Sequence, residues 1–255
     1  MLLMFYHFVV DHVLVLIALA AGVFIGASAL GYLSARKRVG EYQLAPVQGA
    51  VLGLTGLLLG FSISLALSRY DHRRVLVVRE ANAIGTTWLR TDLLPAPLGS
   101  EARPLLERYV GARLAFFRAG DHERAIAKAE AQAAGLQTTL WAIATKAAVV
   151  APNSITARFI QALNGMIDVE AERDAARRDR LPWVMWGGLF LVTMVASFFT
   201  GAALAGQRWV VLLVLPLTFA LLLGLIGEFD TPRNGLVQIS QHSLERLQAS
   251  FAPHP

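Results

Sequence analysis

The chain has no cysteine among its 255 residues, and charged residues make up only 16% of it. Without cysteine there are no disulfide bonds, thiol nucleophiles or cysteine-ligated metals. Lysine is scarce too and occurs only as Lys37, Lys128 and Lys146, so arginine supplies most of the positive charge. Apolar residues account for 55% of the chain and the mean hydropathy is +0.52. This composition is typical of a polytopic membrane protein and not of a soluble domain.

Four apolar segments reach the roughly 20 residues that a helix needs to cross a bilayer. They cover residues 13–33, 46–68, 183–204 and 209–226. Between the second and third segments, helical patterns are separated by turn signals at Pro95, Gly120 and Pro152, and no part alternates with period two. We therefore predict an all-α polytopic membrane protein with four transmembrane helices and a helical insert between helices two and three.

The expected organisation has four parts: residues 1–68 with transmembrane helices 1 and 2, the insert 69–182, residues 183–227 with helices 3 and 4, and the tail 228–255. No proline interrupts the sequence between Pro46 and Pro95, so the insert should continue helix 2 directly. Most of the arginines near the membrane flank the insert and the tail. The positive-inside rule therefore predicts that the N-terminus, insert and tail are cytoplasmic, although the cluster Arg36–Arg38 lies on the opposite side.

The second span carries a polar stripe made of Thr55, Ser62, Arg69 and Arg73, which share one helical face. Hydroxyl and guanidinium groups donate hydrogen bonds, so this stripe suits a permeating anion. The alternative is structural, because serine and threonine in spans often bond their own backbone and arginines at span ends extend to lipid headgroups.

Two further sets lie on the same span. Leu57, Phe61 and Leu65 would form an apolar constriction if several copies surrounded an axis, and such rings can gate by dewetting. Their alternative role is ordinary lipid contact or packing. Small residues at i, i+4, i+7 and i+11 form a face on which another helix could pack closely, and these residues are Gly49, Gly53, Gly56 and Gly60.

Beyond this span, Glu80 follows Arg73 by seven residues, which suggests a buried ion pair, a bridge between subunits or a packing motif within one chain.

Asp11 and His12 at the first span could serve a proton-coupled carrier, but no ionisable residue lies deep in any span. No nucleophile elbow, phosphate loop, dinucleotide fingerprint or metal-ligand spacing occurs. We therefore predict no enzyme activity, cofactor or metal. The arginines are interleaved with acids, which argues against nucleic-acid binding.

The sequence resembles the bacterial bestrophin-like membrane proteins. The resemblance rests on LLGFSISLALSRYDHRR, VVREANAIGTTWLRTDLLP and LLERYVGARLAFF, and on the tail motif that begins at Asp230. The motif positions are Glu80, Asn82, Gly85, Arg90, Asp230, Pro232 and Gly235. The family is named for its similarity to bestrophins, which are pentameric anion channels with four membrane helices per subunit. Membership therefore implies a lipid-embedded homo-oligomer, with a pentamer favoured, in the bacterial inner membrane.

Two functions remain open. The first is an oligomeric chloride-type anion channel in which the second span lines the pore. The second is a non-conducting membrane scaffold or sensor whose cytosolic helices bind a partner, with the four glycines as a helix–helix seam. Substituting Gly53 and Gly56 by leucine separates them, because a seam should lose assembly whereas a pore lining should change conductance.

Overall fold

The computed structural model describes residues 12–36, 45–120, 122–204, 210–231 and 237–251. The described residues form α-helices and contain no strand. Four of the helices are long and apolar enough to cross a membrane. The prediction of an all-α protein with four membrane-spanning helices is confirmed.

The helices follow one another along the chain as α1 (Val13–Arg36), α2 (Ala45–Arg90), α3 (Leu98–Arg118), α4 (Glu123–Val150), α5 (Ser154–Arg178), α6 (Trp183–Ala203), α7 (Val211–Asp230) and α8 (His242–Phe251). Helix α2 is continuous over 46 residues and passes into a short 3₁₀ turn, Thr91–Leu93. The turn ends just before Pro95, whose ring disfavours the helical conformation of the preceding residue. Residues 46–68 of the second apolar segment thus belong to a helix that extends to Arg90.

The chain divides into two compact units, which we call the membrane unit and the insert unit. The first contains Met1–Tyr70 and Arg180–Val237, and the second contains Asp71–Asp179 and Gln238–Pro255. In the first unit, α1 packs against both α6 and α7. Its apolar core is formed by side chains such as Leu16, Phe24, Leu59, Trp186 and Leu223.

Close approach of α1 and α6 depends on two glycines that we did not single out from the sequence. A β-carbon at Gly201 would lie 1.8 Å from the carbonyl oxygen of Ser28, and one at Gly31 would lie 2.0 Å from the carbonyl oxygen of Phe198. Both contacts are with backbone, which cannot move aside as a flexible side chain would. The two helices therefore touch through their backbones at these positions.

In the insert unit, α4 packs against α3 and α5, and the short C-terminal helix α8 packs against α3. The core contains Leu106, Tyr109, Leu140, Phe159 and Met166, all fully buried. Helix α5 begins after Asn153, whose side-chain oxygen accepts hydrogen bonds from the backbone N–H groups of Ile155 and Thr156 at 2.9 Å. This N-cap satisfies two of the donors that a helix start leaves unpaired.

Candidate functional site

One face of the membrane-spanning half of α2 packs into the core of the membrane unit. Leu59 and Ala66 belong to the apolar core there, and Thr55 and Ser62 share their face, at 1% and 4% exposure. The hydroxyl of Thr55 donates to the carbonyl of Val51 at 2.7 Å, and that of Ser62 donates to the carbonyl of Leu58 at 2.8 Å. The two hydroxyl groups of the polar stripe are thus buried in the protomer and bonded to their own helix.

The apolar set lies on a different face of α2. Leu57, Phe61 and Leu65 are 55%, 66% and 38% exposed. Around the helix Leu57 and Phe61 are separated from Thr55 and Ser62 by more than a quarter turn and Leu65 by a smaller angle, as 3.6-residue periodicity requires. The polar hydroxyls and the apolar set are therefore not brought to one surface of the protomer.

The four glycines of the second span also face outward. Outside the backbone of α2 itself, a β-carbon at Gly49, Gly53, Gly56 or Gly60 would meet no described atom within 4 Å. Among the residues that the structure describes, these positions therefore pack against no other helix of the same protomer. They leave room beside α2 for something outside the protomer, whether lipid or another subunit.

The two arginines of the stripe lie on either side of the unit boundary. Arg69 is half-buried and belongs to the membrane unit, whereas Arg73 is buried and belongs to the insert unit. Both side chains take part in interactions.

A buried cluster of charged residues in the insert unit surrounds Glu80, which is completely buried on α2. Its Oε1 accepts a hydrogen bond from Nε of Arg113 on α3 at 2.5 Å, and its Oε2 accepts one from Nη1 of Arg173 on α5. Arg113 also donates through Nη1 to Glu170 at 2.9 Å. Two arginines and two glutamates thus form a charge-balanced cluster that joins α2, α3 and α5 within a single chain, which we call the Glu80 cluster.

Burial acts on each arginine of this cluster differently. By itself burial lowers the pKa of Arg113, but the neighbouring Glu80, Tyr109 and Glu170 outweigh it and the net shift is upward. For Arg173 burial prevails over the opposing effect of Glu80, and the pKa is lowered. The nearby phenol is affected as well, because burial raises the pKa of Tyr109. Glu80 is therefore the counter-charge that makes burial of both guanidinium groups tolerable.

Aromatic rings cover the open side of the cluster. The guanidinium carbon of Arg173 lies 3.8 Å from the ring centre of Phe117, and that of Arg113 lies 5.3 Å from the ring centre of Phe116. A cavity of about 490 Å³ borders these groups and is also lined by Glu130, Asp174 and Arg177. Arg177 pairs with Asp174 at 2.6 Å, so these two charges of the cavity wall compensate one another.

The remaining motif residues have separate surroundings. Asn82 is exposed. Gly85 lies close to the C-terminal helix, because a β-carbon there would come within 3.2 Å of Cδ1 of Leu247. Arg90 donates through Nη1 to the carbonyl of Arg158 at 2.7 Å. Asp230, in the membrane unit, accepts a hydrogen bond from the backbone N–H of Leu181 at 2.9 Å. Asp11, Pro232 and Gly235 lie outside the described residues.

Sequence reasoning found Glu80 but missed its partners. Arg113 and Arg173 are 33 and 93 residues away from it, and no local spacing could connect them. The sequence signal that was present is the spacing of seven residues between Arg73 and Glu80, in a polar stretch of small residues. Among the described residues, no group of three or more histidine, aspartate or glutamate side chains is placed to hold a metal ion.

Fold and site together define an all-helical integral membrane protein with a charge-balanced cluster in its insert. The match to a family model is more specific: the Bestrophin-like domain covers residues 12–244. The chain belongs to the Bestrophin-like family. No curated protein sequence matches it.

Solved structures give the same fold at low sequence identity. A bacterial bestrophin homologue from Klebsiella pneumoniae has a TM-score of 0.68 and 14% identity, over 92% of this chain and 97% of that chain. A variant of that homologue gives 0.67 and 15% over 92% and 98%. A structure described as a membrane protein gives 0.69 and 14% over 94% of this chain and 100% of that chain. The similarity therefore extends over nearly the whole chain.

Proposed function

We propose that the chain is one subunit of a homo-oligomeric, anion-conducting channel of the bacterial inner membrane, with a pentamer favoured and α2 lining the pore. The insert and both termini would be cytoplasmic. Membership of the Bestrophin-like family supports this assignment. The observation that carries the choice of helix is the outward face of α2, which combines bulky apolar side chains with glycines that have open space beside them.

In this proposal the pore constriction consists of Leu57, Phe61 and Leu65. Ser64 and Ser68 are exposed on the same side of α2 and would present hydroxyl groups to an anion at the cytoplasmic end of the constriction. Thr55 and Ser62, which the sequence made candidates for that role beside a structural one, are assigned to packing within the protomer. The glycines Gly53, Gly56 and Gly60 would allow neighbouring subunits to approach closely.

The absence of cysteine offers a clean test. Single variants Leu57→Cys, Phe61→Cys and Leu65→Cys can be purified, reconstituted in liposomes and treated with a charged methanethiosulfonate while chloride efflux is recorded. Reagent should reduce efflux through these variants and leave the unmodified chain unaffected, since the latter has no thiol. Leu221→Cys on α7 is the matched control, because Leu221 is also a well-exposed apolar residue.

Particle mass is measured on the same preparations. Chloride efflux from a particle near five subunits, blocked at Phe61 but not at Leu221, would support the channel. A monomer or dimer without efflux would exclude it. A stable oligomer without efflux would favour the scaffold or sensor instead.

Anion selectivity tests the arginines separately. We expect Arg69→Glu or Arg73→Glu to shift the reversal potential away from that of chloride, because a carboxylate at the mouth repels anions. Unchanged selectivity in both conducting variants would remove the arginines from the pathway and leave the pore assignment of α2 intact.

A further inference from the structure

The C-terminal helix α8 is too short to be stable by itself. It has ten residues, and isolated helices below about 12 residues are marginal in water. Its helical form therefore depends on the surface that it covers, which consists of Gly85 and Trp88 on α2 and Gly111 on α3. We call this surface the α8 groove.

Contacts along the groove are mainly apolar. Leu244 and Phe251 are buried, and the ring of Phe251 stacks on Trp88. Leu247 lies against Gly85, and Gln248 lies near Gly111. One exposed ion pair, between Arg118 and Glu245, adds little stability at the surface.

A hydrogen bond from Arg173 to Gln241 connects the start of α8 with the Glu80 cluster. Gln241 immediately precedes the helix, and its carbonyl accepts hydrogen bonds from the N–H groups of Leu244 and Glu245 at 3.0 and 3.1 Å. Its side-chain Oε1 accepts a hydrogen bond from Nη2 of Arg173 at 2.8 Å. The other terminal nitrogen of the same guanidinium, Nη1, donates to Glu80.

The guanidinium group is a rigid planar fork, so fixing one of its nitrogens fixes the direction of the other. Glu80 holds one nitrogen of Arg173 and the ring of Phe117 covers its face. The second nitrogen is thereby aimed at Gln241. Buried ion pairs of this kind often contribute little net stability but can specify geometry.

We infer that Glu80 and Arg173 are positioning residues that hold the C-terminal helix in the α8 groove through Gln241. This inference does not depend on whether the chain conducts. With a neutral side chain at position 80, Arg173 would lose its buried counter-charge, turn toward solvent and release Gln241. The helix α8 would then exchange between docked and undocked forms.

Amide hydrogen exchange of the full-length chain in detergent tests this directly. We expect Glu80→Gln, which keeps the shape and removes the charge, to speed exchange in residues 242–251 at least tenfold. Exchange in the core of α4 should change less than twofold. Trypsin provides a second readout, because Arg246 lies on the exposed side of α8 and should be cut faster in the undocked form.

Two variants keep the test decisive. Gln241→Ala removes the contact to Arg173 and leaves the Glu80 cluster intact, so it should also release α8 even if Glu80→Gln fails to fold. Glu172→Gln is the control, since Glu172 pairs with Arg79 on an exposed surface and should leave α8 protected. The inference is overturned if Gln241→Ala protects α8 as well as Glu172→Gln does. It is equally overturned if Glu80→Gln speeds exchange in α4 as much as in α8.

Discussion

Phe251, the last residue of α8, stacks on Trp88 of helix α2, with ring centres 4.0 Å apart and an angle of 18° between the ring planes. The guanidinium of Arg103 lies on the same indole, 5.5 Å from its centre. Stacked aromatic pairs contribute about 0.5–1.5 kcal/mol beyond their buried area. This pair therefore anchors the far end of the C-terminal helix, opposite the end that Gln241 holds.

Phe251→Ala should weaken this anchor. Truncating a buried phenylalanine costs about 3–5 kcal/mol in a closed core, and we expect the lower part of that range because the residue ends a terminal helix. Intrinsic tryptophan fluorescence should change as Trp88 becomes more exposed to water, with a lower thermal midpoint. Arg246→Ala, on the exposed side of the same helix, should leave both signals unchanged. An equal effect of both variants would show that the stacking is not an anchor.

The glycine contacts between α1 and α6 lead to a second prediction. Gly201→Ala places a methyl group against the backbone of Ser28, so the two helices must separate, at a cost of about 1–3 kcal/mol or more. We expect a lower thermal midpoint and less monodisperse protein in detergent. The same should hold for Gly31→Ala.

Helix α1 supplies matched controls for that experiment. A β-carbon at Gly22 or Gly26 would meet no atom within 4 Å, so Gly22→Ala and Gly26→Ala should be tolerated. Equal losses in all four variants would mean that the glycines matter for helix flexibility and not for close approach.

The sequence predicted the helices well because their signals are local. Four long apolar runs define the spans, and the absence of proline before Pro95 predicts that helix 2 continues into the insert. Period alone also places Thr55 and Ser62 on one face of α2. Whether that face meets a pore or the protomer's own core depends on which helices lie beside it, and periodicity carries no such information.

Contacts between residues that are distant in sequence could not be predicted for the same reason. The regular glycine pattern of α2 favours close helix packing there, yet the backbone contacts between α1 and α6 involve Gly31 and Gly201 instead. Glu80 was recognisable from its spacing to Arg73, but Arg113 and Arg173 resemble any other arginine of the insert. The tertiary fold selects these residues, and no spacing in the sequence does.

A third prediction concerns Asp230 at the end of α7. Its carboxylate is completely buried and accepts the backbone N–H of Leu181. Asp230→Ala leaves that donor without this partner, which costs about 1–3 kcal/mol for a buried group. Asp230→Asn keeps an oxygen acceptor and should lose less. Thermal unfolding of both variants measures the difference, and an asparagine variant as damaged as the alanine variant would show that the charge matters more than the acceptor.

The last prediction uses the phenol of Tyr109, which is buried next to the Glu80 cluster and bonded to Nε2 of Gln137 at 3.0 Å. Burial raises its pKa, so the folded protein keeps this tyrosine protonated where an unfolded chain, with a pKa of about 10, loses the proton. Its contribution to stability is therefore complete below about pH 10 and falls as the pH rises through the folded-state value. Absorbance of tyrosinate at 295 nm measures this difference. At pH 10.5 the folded Tyr109→Phe variant and the folded unmodified protein should absorb equally, whereas after unfolding the variant should absorb less. If the folded variant already absorbs less than the folded unmodified protein at pH 10.5, the pKa of Tyr109 is not raised by burial.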